Sequence, residues 1–121
     1  MTDTATALYN FWSSFGLPAY IEEHVPDDAQ LPYITYTIVK PEWRENASTQ
    51  GRVWYMSNSF VPLNAKVDEI SELIGDGHSI KTPHGVIVLY KDVNFVQIQP
   101  FPEDTNMRVA YLNLVLNSYT N

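Results

Sequence analysis

The stretch Arg108-Val109-Ala110-Tyr111-Leu112-Asn113-Leu114-Val115-Leu116-Asn117-Ser118 decides the fold. Its even positions, Ala110, Leu112, Leu114 and Leu116, are all apolar, and its odd positions are mixed. A period of two puts the two sets on opposite faces of a β-strand. The strand is expected over Asn106 to Ser118, which is long against a usual strand of about 5–6 residues. Its leucine face requires an apolar cover. The other face, Tyr111, Asn113, Val115 and Asn117, is too mixed for core and too apolar for plain solvent. Either the first helix covers it or a neighbouring subunit does, since interfaces tolerate such surfaces.

Upstream, the same period predicts strands at Ser79 to Lys81, Val86 to Tyr90 and Phe95 to Gln99. They are joined by turns at Thr82-Pro83-His84-Gly85 and Asp92-Val93-Asn94, with Pro100 to Thr105 as a loop. Before them the period changes. Leu63, Val67, Ile70 and Ile74 line one face of a helix stopped by Gly75, with Lys66, Asp68, Glu69 and Glu72 largely opposite. Tyr33 to Lys40 and Gly51 to Ser57 read as strands that pair antiparallel across a polar loop containing Trp43. The chain starts with a helix over Thr4 to Phe15. It carries Leu8, Phe11, Trp12 and Phe15 on one stripe, ends at Gly16 and is followed by a short strand at Ala19 to Ile21. Strands in runs split by two helices make an α+β protein: a mostly antiparallel β-sheet with two helices packed on it. The 121 residues fit a single domain, 1–121, and repeats and low-complexity tracts are absent from them.

Composition narrows the function. Fourteen acidic residues against seven basic give a net charge of −7, and the cations at 40, 44, 52, 66, 81, 91 and 108 form no run. Gripping a phosphate backbone takes clustered cations, so sequence-specific nucleic-acid binding is disfavoured. Without cysteine there are no disulfides, thiolate metal sites or cysteine nucleophiles. Met1-Thr2-Asp3-Thr4 has neither a charged n-region nor an apolar h-region, and no apolar run reaches the ~20 residues of a membrane span, so neither secretion nor a membrane is expected.

Catalytic and cofactor motifs are missing: the chain contains no nucleophile elbow, no zinc-binding helix pair, no phosphate loop and no calcium loop. His78 and His84 flank an expected turn with no obvious third ligand for zinc, so His24, His78 and His84 read as surface or turn histidines. Catalytic residues, cofactor and metal are therefore all expected to be none. The Glu22, Glu23, Asp27, Asp28 cluster, with His24, is where a divalent cation, an acid–base site or an acidic inhibitor surface would sit; Pro26 and the lack of glycine argue against a calcium loop, and a solvated loop is the simpler reading. Trp43 and Arg44 lie together in a polar loop, and Trp and Arg are the residue types that dominate interfaces. Loop 41–52, with Trp43, Arg44 and Arg52, together with Trp54 and with Tyr111 and Asn113 of the closing strand, forms the expected subunit interface.

The stretch Ala19-Tyr20-Ile21, followed by Val25-Pro26-Asp27-Asp28-Ala29-Gln30-Leu31-Pro32-Tyr33-Ile34, resembles the tail terminator and minor tail proteins of long-tailed bacteriophages. The likeness runs from about residue 5 to 118, through the helix at Leu63 to Ile74 and the closing strand from Arg108. What it implies is a structural, non-enzymatic virion protein made in the host bacterial cytoplasm and carried in the tail or neck. Such chains form a homo-oligomeric ring, commonly a hexamer, that caps the tail tube protein and meets the head connector protein while DNA passes the lumen without specific binding. Head-completion, neck and minor capsid proteins at the head–tail interface share the plan and are the alternative station.

Overall fold

The computed structural model describes residues 3–39, 47–101 and 104–120. Helix α1 spans Asp3–Ser13, strand β1 Ala19–Ile21, a 3-10 turn Glu22–His24, β2 Tyr33–Val39 and β3 Ala47–Met56. Helix α2 follows at Val61–Ile74, then β4 His78–Thr82, β5 Gly85–Phe101 and β6 Asp104–Thr120. The six strands form one sheet in the order β1-β2-β3-β6-β5-β4. The β1–β2 pair is parallel and the others antiparallel. This is the expected α+β architecture, with both helices on a mostly antiparallel sheet.

The stripes read from the sequence make the core. Leu8, Phe11 and Trp12 of α1 and Phe15 in the turn after it are buried, as are Leu63, Val67, Ile70 and Ile74 of α2. Both helices pack on the face that carries Ala110, Leu112, Leu114 and Leu116. Helix α1 touches β1 and β2 near one edge of the sheet and β4 at the other, so the sheet curls around it. Helix α2 lies over β3, β6 and β5. Helix α2 is tied to the turn that ends α1: Lys66 Nζ donates to the Phe15 carbonyl at 2.7 Å. At the end of α2, Gly75 adopts φ +52°, a conformation in which a side chain would be strained, and its N–H closes the last turn on the Ser71 carbonyl.

Helix α1 ends at Ser13 and not at Phe15, and the strands depart from expectation in three places. Strand β3 begins at Ala47, not at Gly51, so the second half of the expected loop is strand. Ala47-Ser48-Thr49-Gln50 has weak strand propensity, but this segment pairs on one side with β2 (Thr49 opposite Ile38) and on the other with β6 (Thr49 opposite Leu114). Two ladders outweigh local preference. Asp92-Val93-Asn94 does not reverse the chain. It forms a bulge in β5, with Lys91 opposite Leu114 and Val96 opposite Leu112, so that four residues face Asn113 alone. The expected loop 100–105 is largely ladder, since Pro100 pairs with Arg108 and Phe101 with Asp104.

Trp12 is the deepest link between helix and sheet. It is fully buried, and its ring stacks on Tyr36 with centroids 6.4 Å apart. Its Nε1 donates to Thr49 Oγ1 (3.3 Å), and that hydroxyl donates to the Thr37 carbonyl (2.7 Å). The indole lies directly on Gly51, where a Cβ would overlap its six-membered ring. Gly51→Ala is therefore expected to cost roughly 1–3 kcal/mol, the usual range for forcing a group into a filled core. Urea unfolding should show a lower midpoint, with altered near-ultraviolet dichroism of the displaced tryptophan. A wild-type midpoint and spectrum would contradict this packing.

Candidate functional site

Opposite the helices, the outer face of the sheet carries no described helix; its side chains are mostly half-buried, with Thr35 and Val109 buried. The odd residues of β6 point there, so α1 does not cover Tyr111, Asn113, Val115 and Asn117; it packs on the leucine face. Cross-strand register places Arg52 beside Tyr111, Gln50 beside Asn113 and Trp54 beside Val109, with Thr35 and Thr37 of β2 on the far side of Arg52 and Gln50. Of the residues expected at an interface, Arg52, Trp54, Tyr111 and Asn113 thus meet on one surface. Trp43 and Arg44 lie outside the described residues.

A chain of polar contacts runs across this face. Arg52 Nη1 meets Glu22 Oε1 at 2.9 Å, and Arg52 Nε donates to Gln50 Oε1 at 3.3 Å. Gln50 Nε2 donates to Asn113 Oδ1 (2.9 Å), and Asn113 Nδ2 donates to the Asn94 carbonyl in the β5 bulge (2.8 Å). The network begins at the turn after β1 and ends at the bulge. It fixes the rotamers of the long side chains before any partner arrives. The Arg52 guanidinium also lies 5.1 Å from the Tyr111 ring centroid, within cation–π range. Trp54 Nε1 donates to Thr35 Oγ1 at 3.0 Å. Among the described side chains of the central strands β2, β3 and β6, Arg52 is the one charge on this face. A surface of Tyr, Trp, Asn and Gln whose one arginine is neutralised by Glu22, in a protein of net charge −7, has the charge-depleted composition of an interface core.

Gln50 and Thr35 carry no signal in the sequence, and Glu22 stands there only as part of an acidic cluster. Gln50 stands two residues before Arg52, so it shares its face, but only once β3 is known to start at Ala47. The structure separates Glu22 from that cluster by its contact with Arg52, while Glu23, Asp27 and Asp28 are exposed. His78 packs on the Phe11 ring, and His84 sits in the β4–β5 turn. Among the described residues, no group of three His, Asp or Glu is placed to hold a metal.

A second feature lies at the β1 edge. An apolar groove of about 290 Å³ runs between α1 and the strands β1 and β2, lined by Tyr9, Ala19, Ile21, His24, Tyr36 and Ile38. Burial, reinforced by nearby Tyr9, pushes the Tyr36 phenol above its ordinary 10.0.

Neither a family model nor a curated protein matches the sequence. Among solved structures the chain is similar to one from the virion of a native gene transfer agent particle. The TM-score is 0.66 at 15% identity, over 93% of this chain and 92% of that one. The likeness shows a shared fold across nearly the whole length of both chains.

Two outcomes test this geometry. The Arg52–Glu22 pair is about 30% exposed on both sides, 32% and 29%, so solvent screens it. Arg52→Ala should lower stability by no more than about 1 kcal/mol in urea unfolding; a loss several times larger would make Arg52 a folding residue. Tyr36 keeps its proton to higher pH when folded than when unfolded. The stability this contributes is full below pH 10.0 and is lost as pH rises through the raised folded value. Tyr36→Phe should accordingly move the midpoint of alkaline unfolding to higher pH.

Proposed function

We propose that this chain is a non-enzymatic structural subunit of a phage-type virion, of the tail terminator kind. It forms a ring, hexameric in this reading, that caps the tail tube and joins it to the head connector. The observation that carries the reading is the fold likeness to a chain of a gene transfer agent virion over 93% of the residues. The helix-free face supports it, because Arg52, Trp54 and Tyr111 are residue types that concentrate binding energy at interfaces. We assign this face to contacts within the assembly. The preset polar network lowers the entropy of ordering it on contact. A net charge of −7 suits a ring through which DNA slides, since carboxylates repel phosphate.

Native mass spectrometry of the purified protein is expected to give a closed oligomer of one stoichiometry. Tyr111→Asp should leave the far-ultraviolet dichroism unchanged and shift the mass distribution toward smaller species, because it removes an aromatic ring and adds a second carboxylate to a face whose one cation, Arg52, is already paired with Glu22. A wild-type protein that stays monomeric at every concentration overturns the ring. A Tyr111→Asp protein that assembles like wild type removes this face from the interface.

A further inference from the structure

The two sides of the sheet end differently. Strand β4 covers the outer edge of β5 over Gly85–Leu89 only. Beyond the bulge, β5 pairs with β6 on its inner side, Val96 opposite Leu112 and Ile98 opposite Ala110. Among the described residues nothing pairs with its outer side there. Free edges are normally guarded by charge, proline or extreme shortness. The segment Phe95-Val96-Gln97-Ile98-Gln99 has no charge and no proline, and Val96 and Ile98 are 42% and 37% exposed. By contrast, the outer edge of β4 carries the charge of Lys81, although both stretches run into a proline, Pro83 and Pro100.

At the other end of the sheet, β1 offers the uncharged edge Ala19-Tyr20-Ile21. Beside it lies the apolar groove, on the same face of the sheet as the core. Val96 and Ile98 project from that face too, since they stand opposite Leu112 and Ala110. A strand added to β1 would therefore bring alternate apolar side chains over the groove. In this mode of recognition, main-chain hydrogen bonds supply affinity and pockets for alternate residues supply specificity.

We infer that the free edge of β5 at residues 95–99 pairs with the β1 edge of a second copy, seating Val96 and Ile98 over the groove between Tyr9, Ile21 and Tyr36. The occupant is another copy because the same chain supplies both halves of the match: an unguarded edge with two apolar knobs, and a short uncharged edge with an apolar slot. The two patches differ, so the contact is heterologous and propagates head to tail. It closes into a ring where the rotation per copy allows. The inference rests on the ring reading above and adds to it the surfaces through which successive copies join.

The chain has no cysteines, so engineered thiols are unambiguous. Ile21→Cys and Val96→Cys are combined in one chain and treated with a short bis-maleimide, with native mass spectrometry of the untreated protein in parallel. The expected result is a ladder of cross-linked multimers for the double variant and none for either single variant. Dimers from Val96→Cys alone would mean that β5 edges pair with each other, which overturns the inference. A closed oligomer without a ladder overturns it and leaves the ring standing. A ladder without a closed oligomer upholds it and removes the ring. A monomer without a ladder removes both. As a second measure, Val96→Lys with Ile98→Lys should keep monomer dichroism and weaken self-association about tenfold or more, because ammonium groups must be desolvated at the groove. Unchanged association would count against the pairing.

Discussion

Trp12 resting on Gly51 is the contact on which the rest of the structure depends. A helix can approach a central strand this closely only where the strand lacks a side chain, and the indole fills that gap. The hydrogen bond from its Nε1 to Thr49, passed on to the Thr37 carbonyl, satisfies the polar edge of a buried ring and fixes the height of α1 along β3. With α1 held there, Phe11 and Phe15 meet edge to face at 5.3 Å, and Phe11 reaches His78 on β4. One residue pair thus links the middle of the sheet to the helix around which its edges curl.

That arrangement leaves the sheet one-sided. Both helices are spent on the leucine face, and Lys66 ties α2 to the turn that ends α1 by way of the Phe15 carbonyl. The outer face must then be stable in water by itself, and its side-chain network does this locally. Arg52 is satisfied by Glu22, Gln50 and Tyr111, and Asn113 by Gln50 and the bulge carbonyl. Each contact is modest, on the order of 1 kcal/mol. Their combined effect is to order long side chains that would otherwise lose entropy on meeting a partner.

The sequence made some of this legible and concealed the rest for identifiable reasons. Amphipathic periods located both helices and the closing strand, because burial on one face repeats at a fixed interval: Leu8, Phe11, Trp12 and Phe15, or Ala110 to Leu116. Register was not legible. Ala47 to Gln50 reads as loop since its residues are polar, and only pairing on both sides makes it strand. Asp92-Val93-Asn94 has turn chemistry, yet a bulge uses the same chemistry when the partner strand continues. For the candidate surface, Arg52, Trp54, Tyr111 and Asn113 were each identifiable by residue type and strand parity. Their meeting on one face, and the part of Gln50 and Glu22 in it, required knowing that β3 lies beside β6.

The unpaired stretch of β5 has a bearing on how such a subunit would be held before assembly. In water its outward N–H and C=O groups bond to solvent, so leaving them unpaired costs the isolated chain little. The same holds for the β1 edge. Folding of one copy therefore does not need the second, since the core of Trp12, Leu63, Ile70, Leu112 and Leu114 is closed within the chain. What association would gain is apolar burial of Val96 and Ile98, at about 25 cal/mol per Å², against the entropy of joining two bodies. Two partly exposed aliphatic side chains and a short ladder give a weak lateral contact. In a closed ring every copy makes that contact twice, and each must break two of them to leave. A set of individually weak edges can thus hold a ring together while single copies remain folded and separate.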